Sequence, residues 1–421
     1  RRTVTDPAGS PATAAAGHRR VTGPAVDWHD SREIAASAAT ALLLERAGTS
    51  LADETLPLGH AIGRVLARDV LALCDVPHYA SSAMDGWAVT GTGPWQLVPA
   101  SEGDGFALPP GRAVAIVTGG ALPHGADAVL RSESGEVRRV AGGWRLESRT
   151  GEPHHRQHVR PPGEEALAGD RVILAGRRLN PAHIALAAGC GHDELVVAGR
   201  PRIALLLTGD EVVERGIPAP GRVRDSFGPQ LATVLGMLGG IVTSERRVPD
   251  DLASTVAALR DDTRDADVIV TTGGTGGSPA DHIRAALEEI GAAALVERVA
   301  MRPGGPSVLG RLPDGRLLLG LPGNPLAAMM GVVSLGAPLL AALARRPSPA
   351  TGTLPAAADL DGRAGSSILV PYRVVDGRAV PNSWLGSGMM RGLADADGVL
   401  VVPPPGVRAG ESVETLALPW T

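Results

Sequence analysis

Three glycine-rich segments set carboxylates and hydroxyls beside backbone that can approach a ligand closely. They are Thr208-Gly209-Asp210-Glu211, the run Thr271-Thr272-Gly273-Gly274-Thr275-Gly276-Gly277-Ser278-Pro279-Ala280-Asp281, and Leu321-Pro322-Gly323-Asn324-Pro325. Glycine lets main-chain amides come near an anion, and a helix amino end adds N–H groups that have no partner in the helix. Each segment follows an apolar run predicted as a parallel strand, and in open α/β sheets ligands gather beyond the strand carboxyl ends. Taken singly, each is equally an ordinary strand-to-helix turn, with Asp210 or Asp281 as a helix cap. Three in one sheet point to phosphate or nucleotide binding. The G-x-G-x-x-G fingerprint is absent, which argues against an NAD-type site.

Other candidates lie upstream. Asp85, in Ser81 to Val89, belongs to an Asp-Gly turn pair that by itself reads as structural, and Thr118 either offers a hydroxyl to a ligand or closes a turn. His154, His155 and His158 sit among Pro and Arg without matching ligands elsewhere, so solvated surface is expected rather than a metal site. No G-x-S-x-G elbow or H-E-x-x-H helix is present. All forty basic residues are arginine. Without lysine there is no Walker A loop, no protein-kinase strand lysine and no pyridoxal Schiff base.

The net charge of −5 is too balanced for a nucleic-acid surface. Two cysteines, Cys74 and Cys190, cannot build a disulfide framework and favour a reducing, cytoplasmic setting. Leu326 to Ala344 carries no charge, yet Gly331, Ser334, Gly336 and Pro338 interrupt it, so a buried core helix is expected and no membrane association.

The elements that must position these loops follow from periodicity. Strands are predicted at Ile203 to Leu207, Ile241 to Arg246, Val268 to Thr271 and Leu317 to Leu319, with helices at Pro229 to Leu238, Asp250 to Arg260, Asp281 to Ile290 and Pro325 to Leu343. This is a doubly wound α/β domain over 201–346. A helix over Asp30 to Ala47, with Asp30 and Glu33 spaced as a capping box, is assigned with 28–75 and 161–200 to a discontinuous α+β first domain. Short strands between turns make 76–160 an inserted β-rich module, 347–421 is expected to be a small β-barrel, and 1–27 a flexible tail.

Taken together, these segments resemble the molybdopterin molybdenumtransferase family, the MoeA type that also forms the E-domain of gephyrin. The resemblance runs in order over about residues 28 to 421. It includes Ser82 to Val89, Val117 to Leu130, Arg160 to Gly169, Pro201 to Glu211, Gly273-Gly274 with Asp281, Met301 to Pro306, Leu321 to Pro325 and Gly386-Ser387-Gly388. It implies four domains arranged as above and homodimers whose clefts form between subunits. The implied reaction inserts molybdate into adenylylated molybdopterin, with release of AMP and help from Mg2+ or another divalent cation. A molybdopterin adenylyltransferase is the implied pathway partner.

Carried over by position, the resemblance makes Asp85, Glu211, Asp250 and Asp281 the functional carboxylates, the last three holding the metal. It places Thr118, Glu165, Gly273, Gly274, Ser278, Pro322, Gly323, Asn324 and Pro325 against substrate. Arg302, Arg373 and Ser387 match the region that holds the molybdate oxyanion. The sequence departs from the family where two lysines are usual, here Arg302 and Gly305. It also departs at Gly276, Ser278 and Pro279 in the long loop, and at Phe227 in Asp225-Ser226-Phe227. A divergent paralogue that binds a molybdopterin-like ligand or a partner without efficient metal insertion is the alternative these departures imply.

Overall fold

The computed structural model describes residues 24–46, 48, 51–99, 107–276 and 282–421. The chain forms two compact units, one from the residues up to Ala52 together with Gly199–Thr421, the other from Asp53–Ala198.

The larger unit is built on a six-stranded sheet: β1 Arg202–Thr208, β2 Ile241–Val248, β3 Val268–Thr272, β4 Ala293–Val296, β5 Val308–Arg311 and β6 Leu317–Leu321. The spatial order is β2-β1-β3-β6-β5-β4. The first four of these are parallel, whereas β5 runs antiparallel to β6 and β4 antiparallel to β5. Parallel strands covered on both faces read as unbroken apolar runs, which is why β1, β3 and β6 are legible in the sequence. The short strands β4 and β5 are not; Ala293–Val296 has a composition that continues the preceding helix.

Alternation along these strands separates two cores. Leu205, Leu207, Val268, Val270, Leu319 and Leu321 face one side, packed with helices Trp28–Glu45, Leu231–Met237 and the long segment Pro325–Leu343. Leu206, Ile269 and Leu318 face the other, against helices Leu252–Ala257 and Ile283–Glu289. The doubly wound domain is therefore present. Pro325–Leu343 is long and apolar enough to cross a membrane, and 94% of it is buried in this core.

Two expectations need correction. The first helix starts at Trp28, capped by Asp27, which accepts the His29 N–H at 2.8 Å, not by an Asp30 box. Trp28 is fully buried, so the helix must begin early enough to seat that ring. The same burial places this helix in the larger unit and not in the discontinuous domain. Val26 pairs with Val299, so residues 24–27 of the expected tail join the larger unit, and residues 1–23 lie outside the described residues.

The C-terminal strands pair antiparallel in the order Thr351–Pro355, Ser412–Ala417, Gly398–Val402, Ser367–Val375 and Arg378–Pro381. A bridge from Ala356 to Ala379 closes the barrel around Val370, Tyr372, Leu400 and Val413. The alternate residues Leu369, Val399 and Val401 face outward into the core of the doubly wound domain.

In the smaller unit, Glu54–Pro57 pairs with Glu194–Val197 and Val70–Leu71 with Arg171–Ile173, so its two ends close on each other. Helix Pro181–Gly189 is held by an Asn180–His183 capping box. Between these ends lies the inserted sheet, ordered Ala128–Arg131, Gly86–Val89, Arg112–Ile116, Trp95–Leu97, Gly143–Ser148 and Gly135–Val140.

Candidate functional site

Register explains why the loops converge. Leu207 lies beside Thr272, Thr272 beside Leu321, and Thr208 beside Val248, so β1, β2, β3 and β6 end level with one another. The loops that follow enclose a cleft of roughly 770 Å3. Glu211, Asp250, Gly273, Gly274, Pro322, Gly323, Asn324 and Pro325 all line it. Asp281 and Ser278 lie outside the described residues.

One wall of the cleft is acidic. The Asp250 carboxylate accepts the N–H groups of Gly209 at 3.1 Å and Asp210 at 2.9 Å, tying the loop after β1 to the end of β2. Glu211, on that tethered loop, is exposed and its side chain has no hydrogen bond among the described residues. Asp225 accepts the amides of Phe227 and Gly228 and pairs with Arg247, which also meets Glu214 at 2.6 Å. Asp225 and Arg247 therefore brace the wall; the two are 22 residues apart, and no local pattern in the sequence links them.

The opposite wall is neutral. Gly273 has φ +81°, and a Cβ there would lie 2.6 Å from Thr208 Oγ1, which donates to the Thr272 carbonyl at 2.6 Å. Gly274 has φ +65°. These positions need glycine for geometry. The Gly273 amide donates to Leu321 O at 2.9 Å, so it is not a donor to a ligand as the sequence implied. Ala327, in the first turn of the helix that starts at Pro325, donates its N–H to Ser387 O at 3.1 Å, which brings the Gly386-Ser387-Gly388 segment to the third loop. Gly388 lines the cleft.

Arg302 and Arg373 are not among its lining residues. Arg302 pairs in register with Ile368, and Arg373 lies five residues further along that strand, about 17 Å away at ~3.3 Å per residue. An odd offset also turns the two residues to opposite faces of the strand. Both are exposed and unpaired among the described residues. At Gly305 a Cβ would lie 2.8 Å from Met301 O and 3.2 Å from Val299 O, while the Gly305 carbonyl accepts the Val299 N–H. Glycine is thus required by this turn, and a lysine there would displace the backbone.

In the smaller unit, Asp85 accepts both the backbone N–H of Thr118 at 2.6 Å and its hydroxyl at 2.9 Å. Gly86 is obligatory beside it, because a Cβ would meet Leu130 O at 2.0 Å. Glu165 lines a separate hollow with Asp170 and Arg171. His154 and His155 border another hollow, and among the described residues no three His, Cys, Asp or Glu side chains group as a metal site.

The Thr118 amide, and after it the hydroxyl, hold the Asp85 carboxyl below its ordinary value of 3.8. A depressed pKa keeps Asp85 ionised further into acid; its stabilising effect is present above the unfolded value and is lost as pH falls through the folded one. Thr118→Val removes the hydroxyl and keeps the amide, so the Asp85 pKa is expected to rise part of the way back. A carbon-13 titration of the Asp85 carboxyl measures this, and an unchanged value would contradict the assigned cause.

Family models match three stretches of the chain: "MoeA N-terminal region (domain I and II)" over 31–191, "Probable molybdopterin binding domain" over 204–342, and "MoeA C-terminal region (domain IV)" over 353–418. A molybdopterin molybdenumtransferase of Synechococcus elongatus is 33% identical over 325 residues, 73% of this chain and 79% of that protein. Molybdopterin molybdenumtransferase 2 of Mycobacterium tuberculosis is 35% identical over 297 residues, 66% of this chain and 71% of that protein. Among solved structures, a molybdopterin biosynthesis MoeA protein from Pyrococcus horikosii aligns with a TM-score of 0.74 at 27% identity, covering 94% of this chain and 99% of the other. With its domains matched in order and these relatives covered over more than two thirds of their length, the chain belongs to the molybdopterin molybdenumtransferase family.

Proposed function

We propose that this chain inserts molybdate into adenylylated molybdopterin and releases AMP, a step of molybdenum cofactor biosynthesis. The observation that carries this function is the cleft at the level ends of β1, β2, β3 and β6, neutral and glycine-rich on one wall and acidic on the other. A phosphate-bearing ligand fits the first wall, where glycine removes side chains from its path. Glu211 and Asp250 supply oxygen donors, the set that a hard divalent cation prefers, and Asp281 is the third carboxylate of that proposal. Such a cation, when bound, would offset charge developing at phosphorus. Asp250 fixes the Gly209-Asp210 backbone and thereby orients Glu211; Asn324 and Pro325 shape the floor.

Further parts of the proposal rest on the family resemblance: a homodimer in the cytoplasm, supplied by a molybdopterin adenylyltransferase, with Arg302, Arg373 and Ser387 serving the oxyanion. Both arginines are exposed and have no side-chain partner among the described residues, yet they face opposite sides of the sheet about 17 Å apart, so within one chain at most one of them can serve a given oxyanion. Reconstitution tests the function. Purified protein, adenylylated molybdopterin, Mg2+ and molybdate should yield AMP and metal-loaded product in equal amounts, with AMP release dependent on molybdate and lost in Asp281→Ala. Tight substrate binding with no AMP under saturating conditions would mark the chain as a divergent binder instead.

A further inference from the structure

Among the described residues, Phe227 is the one aromatic residue that lines the cleft. Aromatic residues make up only 2% of the chain, so few rings were available to stand here, and Phe227 is also a position where the sequence departs from the family. It is half-buried and packs against the hydrophobic core that includes Leu231 and Val234. A ring placed in this way is covered by the core on one side and meets the cleft with the other.

The backbone of Phe227 is held at three points. Its N–H donates to Asp225 Oδ1 at 2.9 Å, and its carbonyl accepts the N–H groups of Gln230 at 3.0 Å and Leu231 at 2.8 Å. Asp225 is in turn anchored to Arg247. A phenyl group turns about two side-chain torsions, so little freedom is left to lose when a ligand lies against it. Val212 and Val223 also line the cleft, side by side where Val212–Val213 pairs with Val223–Arg224, and they extend the apolar lining along the strand that leads to Asp225.

Adenylylated molybdopterin carries a flat nitrogen heterocycle at each end, adenine and pterin, with the pyrophosphate between them. Phosphate oxygens suit the glycine-rich wall and a cation suits the carboxylates; neither can use a phenyl face. A flat heterocycle can, because stacking on an aromatic ring tolerates any pattern of donors and acceptors. Resting on the transferase function proposed above, the geometry assigns to Phe227 a stacking contact with one of the substrate's two flat heterocycles, as a binding residue that selects phosphates bearing such a ring over those without one.

The test uses the whole chain and three probes: AMP, 6-hydroxymethylpterin, and ribose 5-phosphate, which has the phosphate but no aromatic ring. Phe227→Leu is expected to bind one aromatic probe roughly tenfold more weakly, AMP if the stacked ring is adenine and the pterin if it is pterin, with ribose 5-phosphate unchanged. Phe227→Met, again without a ring, should behave as Phe227→Leu does, while Phe227→Tyr keeps the ring and should retain wild-type affinity. Ring protons of the affected probe should shift upfield on binding to wild type and to Phe227→Tyr, and lose that shift with the leucine variant. In turnover of adenylylated molybdopterin, Phe227→Leu should raise KM by more than it lowers kcat. Equal affinity for both aromatic probes and equal KM in wild type, Phe227→Leu and Phe227→Met overturn the assignment and leave the transferase function standing. Binding of an aromatic probe that depends on the Phe227 ring, in a protein that releases no AMP from the substrate, overturns the transferase function and leaves the stacking contact. A wild type that binds neither aromatic probe nor substrate overturns both.

Discussion

Asp250→Asn is expected to lower turnover at least about a hundredfold, although the two side chains have nearly the same shape. In the native loop both carboxylate oxygens face backbone donors, Gly209 N–H and Asp210 N–H. Asparagine offers one oxygen, and its NH2 group would face the other amide, donor against donor. The loop after β1 loses a charge-assisted hydrogen bond worth about 1.5–3 kcal/mol and gains a repulsion. That loop carries Glu211, and a displacement of about 1 Å in a group proposed to hold the divalent cation at the reacting phosphate costs on the order of a hundredfold. Melting should change far less, because residues 209–211 lie at the open end of the sheet and outside either hydrophobic core. Rates of AMP release and a melting curve on the same sample separate the two effects. Turnover within threefold of wild type would remove Asp250 from the reaction. A parallel fall in melting temperature and in rate would make it a folding residue only.

This contrast shows which parts of the site sequence can and cannot carry. The loops were legible because the strands before them are: Ile203 to Leu207 and Val268 to Thr271 are apolar on both faces, and level strand ends then bring the following turns together. Residue type alone does not say where a backbone donor is spent. Gly273 looks like an anion-binding glycine, yet its amide goes to Leu321; Asp250 looks like a metal ligand, yet it is first a clamp on the neighbouring loop. Nor does sequence give the face of a strand in a barrel. Arg302 and Arg373 share a plausible role until the pairing of Arg302 with Ile368 turns them apart.

The larger stability effect belongs to Arg32, where a fault in one helix is repaired by another. Pro338 has no N–H, so the carbonyl four residues before it, Ser334 O, loses its helical donor. The helix responds with a π turn over Val332–Gly336: Ala337 N–H reaches back to Val332 O, and Val333 O is left over as well. Arg32, 9% exposed, donates to Val333 O at 3.0 Å, to Ser334 O at 3.5 Å and to Pro349 O at 3.1 Å. Its guanidinium lies over the Trp28 ring, whose Nε1 donates to Ser334 Oγ at 2.9 Å. Burial lowers the proton affinity of this guanidinium, and the negative charge of Glu414 opposes that. Arg32→Met fills much of the same volume but leaves two carbonyls unpaired inside the core, a loss of about 3 kcal/mol at ~1–3 kcal/mol per buried unsatisfied group. For a unit of this size that corresponds to roughly 5–6 °C in melting temperature. Arg32→Lys, with a compact ammonium able to reach only part of this set, should fall between the two. Calorimetry that resolves the transition of the larger unit reads the result directly. If Arg32→Met melts within 2 °C of wild type, the carbonyls find other donors and Arg32 does not hold the π turn.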